Sequence, residues 1–200
     1  MIESKLLQSG LTKIAGVDEA GRGACAGPLV IAAVILRDMT DAKLAKVRDS
    51  KELKPGMREE LFEVIVDLAH DYSIIEISAA EIDVIGLHKA NLEGMRRAIN
   101  ALEVEPEYVL TDGYEISGLS TESLAIWKGD QVAISISAAS ILAKVYRDRI
   151  MINLDRQYPG YHFADHKGYV TRTHERSLNE LGVTAIHRKS YANIQALINK

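Results

Sequence analysis

The chain has 200 residues, with 24 basic and 28 acidic side chains and a formal net charge of -4. A hydrophobic content of 47% excludes a disordered chain, and no stretch approaches the ~18 unbroken apolar residues that a membrane-spanning helix needs. The single cysteine, Cys25, excludes an internal disulfide and a thiolate zinc site, so we expect a reducing compartment and a cytoplasmic protein.

The first half of the chain alternates between short apolar runs and helical periodicity. Valine- and isoleucine-rich runs predict strands at 13–19, 28–36 and 72–78, and apolar residues at helical spacing predict a helix over 57–69. Ser78 followed three residues later by Glu81 resembles a capping box, which predicts a short helix that ends before Gly86.

The second half continues this alternation. Helices are predicted over 87–102, 131–157, 171–181 and 190–199, and strands over 107–113 and 123–130. This succession predicts an α/β fold, with a mixed sheet flanked by helices. We expect one domain over residues 1–200, with the sheet core at about 13–157 and a helical C-terminal part at about 158–200.

The charges are unevenly distributed along the chain. Residues 138–200 carry a net charge of +5, so residues 1–137 carry -9. An acidic part that holds cations and a basic part that meets phosphates would suit a metal-using enzyme on nucleic acid, although a solvated basic helix explains the same charges.

Acidic residues follow three separate predicted strands. Asp18 and Glu19 end the first strand, Asp112 ends a later apolar run, and Asp130 directly precedes the longest helix. Because the ends of neighbouring strands converge in an α/β sheet, we expect the four carboxylates to surround one point. Oxygen ligands without cysteine favour Mg²⁺ or Mn²⁺, and two such ions suit phosphoryl transfer. Each acid alone is also explained as a turn residue or helix cap.

Glycines and basic residues mark further candidate sites. Gly21 and Gly23 flank Arg22, but neither a phosphate loop nor a dinucleotide fingerprint follows them. Lys144 and Arg147 lie on the longest predicted helix, where they could bind phosphates, although a surface ion pair between Arg147 and Asp148 explains that arginine equally well.

The segment 162–174 contains three histidines and an aromatic residue between basic residues. Its histidines, His162, His166 and His174, fit no zinc-site spacing. Tyr169, between Lys167 and Arg172, is better interpreted as a ring that stacks on a sugar or base.

In this order, the motifs resemble those of the bacterial ribonuclease HII family, the type 2 ribonucleases H. The resemblance covers roughly residues 14–190. The matching segments are DEAGRG (18–23), AGPLV (26–30), DSK (49–51), TDG (111–113), KGD (128–130), SILAKV (140–145), RD (147–148), YPGY (158–161), HKGY (166–169) and HR (187–188).

The resemblance implies a ribonuclease H-like five-stranded sheet with a C-terminal helical extension. It implies hydrolysis of RNA in RNA–DNA hybrids, including single ribonucleotides in duplex DNA, with two bound Mg²⁺ or Mn²⁺ ions and 5′-phosphate and 3′-hydroxyl products. Its catalytic, metal-binding acids would be Asp18, Glu19, Asp112 and Asp130. Substrate contacts would come from Gly21, Arg22, Gly23, Tyr169, Lys51, Lys144 and Arg147. A monomer is the expected oligomeric state.

Two alternatives remain at the level of the sequence. One is another metal-dependent nuclease, for instance a DNA-junction nuclease with the same sheet and acids, which a panel of substrates would separate. The other is a non-catalytic hybrid-binding module, which would be expected to lack at least one of the four acids.

Overall fold

A computed structural model of the chain describes residues 2–199. Its strands are β1 (Ile14–Ala20), β2 (Leu29–Leu36), β3 (Ala69–Ile77), β4 (Tyr108–Asp112) and β5 (Ser123–Ile126). They form one sheet in the order β3-β2-β1-β4-β5. The first three strands pair antiparallel, whereas β1, β4 and β5 pair in parallel. The predicted mixed five-stranded sheet is therefore confirmed.

The α-helices of the described residues are α1 (Ile2–Gln8), α2 (Pro55–Leu68), α3 (Ala79–Ile85), α4 (Leu87–Asn100), α5 (Ile134–Gln157), α6 (Phe163–His166), α7 (Arg172–Leu181) and α8 (Ala192–Ile198). The capping prediction is confirmed, because the Ser78 hydroxyl accepts a hydrogen bond from the Glu81 N–H at 3.1 Å. The sequence patterns did not predict α1, α6 or the three short 3-10 helices at 42–46, 50–52 and 129–131.

Both faces of the sheet are covered, which explains why β2 is an uninterrupted apolar run. All eight residues of β2 are buried. Alternate side chains point to opposite faces, so Val30 and Ala32 pack in the core that contains α2 and α5, while Ile31 and Ala33 pack in the core that contains α4. The sheet is thus fixed between two helical layers.

Helix α5 lies unusually close to the central strand. A β-carbon at Gly16 of β1 would overlap the backbone of Ser135 in the first turn of α5. The Ser135 N–H and hydroxyl donate to the buried carboxylate of Glu3, at 3.1 and 3.0 Å. Helix α1 therefore supplies an acceptor to the free N–H groups at the start of α5.

The C-terminal part packs on the loop after β1 and on the end of α5 through a third, smaller core. Cys25, Met151, Phe163, Leu178 and Ile194 are buried there. The buried Cys25 thiol contacts the Gly168 carbonyl at 3.5 Å, so this cysteine is a packing residue of the third core. Among the helices of residues 2–199, none has the length and apolar character required to cross a membrane.

Candidate active site

Three carboxylates meet where the parallel strands end. Asp18 lies on β1, Asp112 ends β4, and Asp130 lies in the 3-10 turn after β5. One carboxylate oxygen from each lies within 4.8 Å of the other two. Parallel pairing of β1 with β4 and of β4 with β5 places these three ends side by side, as the sequence predicted.

The turn after β5 is held against Asp112. The Gly129 N–H donates to Asp112 Oδ1 at 2.7 Å, and a β-carbon at Gly129 would overlap the Ile136 side chain. Lys128 adopts a left-handed backbone with φ 55°, which ends the extended segment. The strand predicted over 123–130 is therefore too long, since the chain must leave β5 after Ile126 to bring Asp130 back to the site.

Glu19 lies beside the three-acid group and outside it. Neighbouring residues on a strand point to opposite faces, so Asp18 and Glu19 cannot present their carboxylates identically. The predicted ring of four acids is therefore a tight group of three with Glu19 adjacent. Within residues 2–199, the buried Glu19 Oε2 has no hydrogen-bond partner, which leaves it free to accept a ligand.

Burial and mutual repulsion raise the pKa values of Asp18, Glu19 and Asp112. Burial raises the pKa of Asp18 well above its usual value, and the charges of Glu19 and Asp112 raise it further. The pKa of Glu19 rises to about 7, mainly through burial and then through Asp112. Burial also raises the pKa of Asp112. A bound cation would remove this penalty, and an all-oxygen donor set with a free carboxylate oxygen fits Mg²⁺ or Mn²⁺.

Lys51 reaches the acids from the 3-10 helix at 50–52. Its Nζ lies 3.2 Å from Asp130 Oδ2, and its side chain is largely exposed. The Asp49 carboxylate accepts the Lys51 N–H at 2.9 Å, which fixes the start of this short helix. The structure therefore places Lys51 at the mouth of the site, where a phosphate could reach its ammonium group.

Lys144 also lines the site, from the middle of α5. It borders a cleft of about 420 Å³ together with Asp18, Gly21, Gly23 and Tyr169. Its ammonium group donates to Asp148 at 2.7 Å. The side chain is thus near the predicted substrate path but already paired with an acid.

The prediction that Arg147 contacts phosphates is wrong, because the side chain has no exposed surface. The residue is fully buried. Its guanidinium donates to the carbonyls of Pro28 at 2.9 Å, Lys167 at 2.9 Å and Ala26 at 3.0 Å. Burial lowers its pKa to about 10, so it remains charged at neutral pH. Arg147 therefore joins the segment after β1 to the segment that carries Tyr169.

The loop at 21–23 passes directly over Arg147. Gly21 has φ 88°, and a β-carbon there would overlap the Arg147 side chain. A β-carbon at Gly23 would lie 3.8 Å from the Tyr169 ring, an ordinary contact. Glycine is therefore needed at the two positions for different reasons. At Gly21 the positive φ and the neighbouring Arg147 side chain exclude a β-carbon, whereas at Gly23 the missing side chain keeps the surface beside Tyr169 open.

The backbone of this loop leaves two donors free. The Arg22 carbonyl accepts hydrogen bonds from Arg188 Nη1 at 3.0 Å and from the Tyr191 hydroxyl at 2.7 Å. Among residues 2–199, neither the Arg22 N–H nor the Gly23 N–H has a hydrogen-bond partner. Two donors therefore remain available to a ligand in the cleft.

Three histidines of the C-terminal part lie in one cluster, in which His174 and His187 are buried and His166 is half-buried. The rings of His166 and His174 stack at 4.4 Å, and His174 Nε2 lies 3.1 Å from Nε2 of His187. His162 is not part of this contact and adopts a left-handed backbone with φ 60°. Among residues 2–199, the cluster that could hold a metal ion contains only the three aspartates, and it includes none of His162, His166 and His174.

Sequence reasoning assigned no role to Arg188 or His187. Arg188 is fully buried and donates to the Gly27 carbonyl at 3.1 Å as well as to Arg22. A basic residue in a polar C-terminal segment gives no periodic signal of burial. Only the contact between distant segments shows that it supports the loop at 21–23.

Comparisons with known proteins agree with this geometry. A family model described as Ribonuclease HII matches residues 15–194. A Ribonuclease HII from Rhodococcus erythropolis is 54% identical and covers 98% of this chain and 86% of its own.

Two solved structures are also similar. The crystal structure of the ribonuclease H2 from Pyrococcus horikoshii OT3 has a TM-score of 0.81 at 29% identity and covers 94% of this chain and 97% of its own. The structure of the PCNA:RNase HII complex from Archaeoglobus fulgidus has a TM-score of 0.74 at 28% identity, covering 91% and 96%.

Proposed function

The chain belongs to the ribonuclease HII family, and we propose that it also cuts at single ribonucleotides embedded in duplex DNA, leaving 5′-phosphate and 3′-hydroxyl ends. At the level of the family it is a metal-dependent endoribonuclease that degrades RNA in RNA–DNA hybrids. The observation that carries the finer proposal is the three-carboxylate group beside a cleft with two free N–H donors and the Tyr169 ring.

Asp18, Asp112 and Asp130 would hold the cations, with the free oxygen of Glu19 as a further ligand. Two bound Mg²⁺ or Mn²⁺ ions would lower the pKa of an attacking water and offset the charge of the phosphate. The protein's own contribution is to hold the acids in place, since Gly129 fixes Asp112 and the Ser137 hydroxyl donates to the Asp130 carbonyl at 2.8 Å.

Recognition of the ribose would come from the loop at 21–23. A 2′-hydroxyl is both donor and acceptor, and it distinguishes RNA from DNA at a given sugar. The free Arg22 and Gly23 N–H groups can donate to it, because no β-carbon at Gly23 stands between backbone and sugar. Tyr169, 38% exposed, would pack on the neighbouring sugar.

Phosphate contacts would come from Lys51 and Lys144. The Lys51 ammonium group lies at the acids and faces solvent, so it can meet the phosphate that is cut. Lys144 lines the cleft toward Tyr169, where the next phosphate would pass. Arg147 would contribute indirectly, because it holds the segment after β1 against the segment that carries Tyr169.

A panel of substrates tests this proposal against a DNA-junction nuclease. With Mg²⁺ or Mn²⁺, the protein should cut a duplex that carries one ribonucleotide at the phosphate 5′ of the ribose, and it should leave an all-DNA four-way junction intact. Cleavage of the junction with no cleavage at the ribonucleotide would overturn it. A protein that binds the hybrid without cutting any strand would instead be a binding module.

We also propose a monomer that works with a replication partner. The similar Archaeoglobus fulgidus protein was solved in a complex with PCNA, which makes a replication protein the partner class to test. Light scattering on a size-exclusion column should give the mass of one chain, and a dimer mass would contradict the monomer.

A further inference from the structure

Trp127, the one tryptophan of the sequence, is strongly exposed next to the acids. The residue directly follows β5 and lies three positions before Asp130 in the sequence. The residue is 82% exposed. Single exposed apolar side chains are common on protein surfaces, so the exposure of Trp127 is informative only through the groups that surround the ring.

The backbone that carries Trp127 is fixed on both sides. Before it, the Ile126 carbonyl accepts a hydrogen bond from the Gly113 N–H at 2.9 Å. After it, the Gly129 N–H is bonded to Asp112. The indole therefore projects from a rigid turn, and a ligand that stacks on it would order little additional chain.

Trp127 lines a cleft that contains the acids as well as positive charge. This cleft, of about 400 Å³, is bordered by Trp127 and Tyr114, by Asp112 and Asp130, and by the basic residues Arg22, Lys51 and Lys128, among others. An aromatic surface next to basic side chains is the combination that single nucleic-acid strands bind, through base stacking and phosphate contacts.

The cleft of Trp127 adjoins the cleft of Tyr169. Glu19, Arg22, Lys51 and Asp112 border both clefts, so the acids lie between the two aromatic rings. A strand that crosses the acids would leave the Tyr169 cleft on one side and enter the Trp127 cleft on the other.

We propose that Trp127 stacks on a nucleotide of the cleaved strand on the 5′ side of the cut phosphate, beyond the first nucleotide on that side. This inference rests on the proposed function, in which the loop at 21–23 and Tyr169 hold the sugars on the 3′ side of the cut. The cleft beyond the acids then receives the 5′ side. Stacking on an indole tolerates every base, so Trp127 adds affinity without sequence preference.

Kinetics with two substrates test the position of the contact. Both duplexes carry one ribonucleotide, one with a long DNA segment 5′ of it and the other with a single nucleotide there. On the first, Trp127→Ala should raise KM about tenfold with little change in kcat, whereas Trp127→Phe, which keeps a ring, should stay within about threefold of wild type. On the second, where little strand remains to stack, the KM of Trp127→Ala should move toward that of wild type.

A matched control and a second readout complete the experiment. Val84 is equally exposed, at 83%, and lies on α3, so Val84→Ala should behave as wild type. Because Trp127 is the single tryptophan, the intrinsic fluorescence of an Asp18→Asn protein in Mg²⁺ should be quenched when the long-segment duplex binds without being cut.

The outcomes separate the proposals. An unchanged KM for Trp127→Ala together with unchanged fluorescence would overturn stacking and indicate a surface for another partner. An equal rise in KM on both substrates would overturn the 5′ placement. Absence of cleavage by the wild-type protein would count against the proposed function, while the fluorescence titration would still decide whether Trp127 contacts the duplex.

Discussion

The Nε2 atoms of His174 and His187 lie 3.1 Å apart in a buried pair, and their other contacts determine which ring carries each proton. The Thr184 N–H donates to His187 Nδ1 at 3.0 Å, so His187 must carry its proton on Nε2 and donate it to His174. His174 then donates from Nδ1 to the Tyr169 carbonyl at 3.0 Å. Two neutral imidazoles thus connect the Thr184 segment to the backbone of Tyr169.

This pair predicts a loss of stability in acid. Burial lowers the pKa of both His174 and His187 to about 4, whereas an unfolded histidine titrates near 6.5. The unfolded chain therefore binds more protons between these values, and the free energy of unfolding falls as pH decreases from about 6.5 to about 4, by at most about 1.4 kcal/mol per pH unit for each ring.

Urea unfolding at several pH values measures this effect by comparison with His187→Gln. The stability difference between wild type and His187→Gln should shrink as pH decreases through that window, because the variant has one less ring to protonate. The same difference measured for Gln8→Ala, at an exposed position without an ionisable group, should not depend on pH. A pH-independent difference for His187→Gln would contradict the neutral pair.

The acidic site predicts that one contribution to the stability of the metal-free protein has the opposite pH dependence. The pKa of Glu19 is raised to about 7 from 4.5, so its contribution to stability is present below about 4.5 and is lost as pH rises to about 7. Divalent cations should reverse this loss. We expect Mg²⁺ or Mn²⁺ to raise Tm more at pH 8 than at pH 6, as measured by differential scanning calorimetry.

Asp112→Asn provides the control for this metal effect. The substitution removes one charge from the group, which should raise Tm in EDTA and reduce the gain from Mn²⁺. An equal Mn²⁺ gain in wild type and Asp112→Asn would show that the ion binds elsewhere.

Asp18→Asn should abolish cleavage while leaving hybrid binding largely intact. Loss of a cation ligand removes several kcal/mol of transition-state stabilisation, which corresponds to a fall in kcat of about a thousandfold or more. Single-turnover cleavage and a binding titration measure the two properties separately. Glu180→Gln, at an exposed acid of α7, should cleave as wild type, and full activity of Asp18→Asn would refute the assigned site.

Arg147 and Lys144 should respond differently to replacement by alanine. Arg147→Ala leaves one buried and two half-buried carbonyls without their donor, so we expect a loss of about 3 kcal/mol in the free energy of unfolding. Lys144→Ala removes one ion pair and should lose about 1 kcal/mol or less, with its main effect on substrate KM. Equal destabilisation by the two substitutions would contradict the structural role of Arg147.

Alanine substitutions at Gly21 and Gly23 should have separate effects, the first on stability and the second on recognition of the ribonucleotide. Gly21→Ala meets both a positive φ and the Arg147 side chain, so it should lower the free energy of unfolding by more than about 1 kcal/mol. Gly23→Ala has room and should retain the wild-type Tm but lose activity at a single ribonucleotide. A Gly23→Ala protein with unchanged kcat/KM would show that the sugar does not approach this backbone.

The sequence predicted the parts of the site that follow from strand order. Asp18 and Asp112 come directly after buried apolar runs, and parallel pairing brings such positions together. Arg147 could not be placed this way. It lies three residues after Lys144, which predicts a shared helix face, but α5 is surrounded by protein there and the longer side chain passes inward. Nor does the polar sequence of α1 indicate that Glu3 is buried against α5.

The pairing of β1 with β4 has a consequence for biosynthesis. It joins Val17 to Thr111, so the acid at the end of β1 meets its partner only after most of the chain has left the ribosome. Contacts between residues so distant in sequence form late and slowly. The group of three aspartates therefore cannot form before β4 and the turn after β5 have been synthesised, and catalytic activity reports that these distant segments have come together.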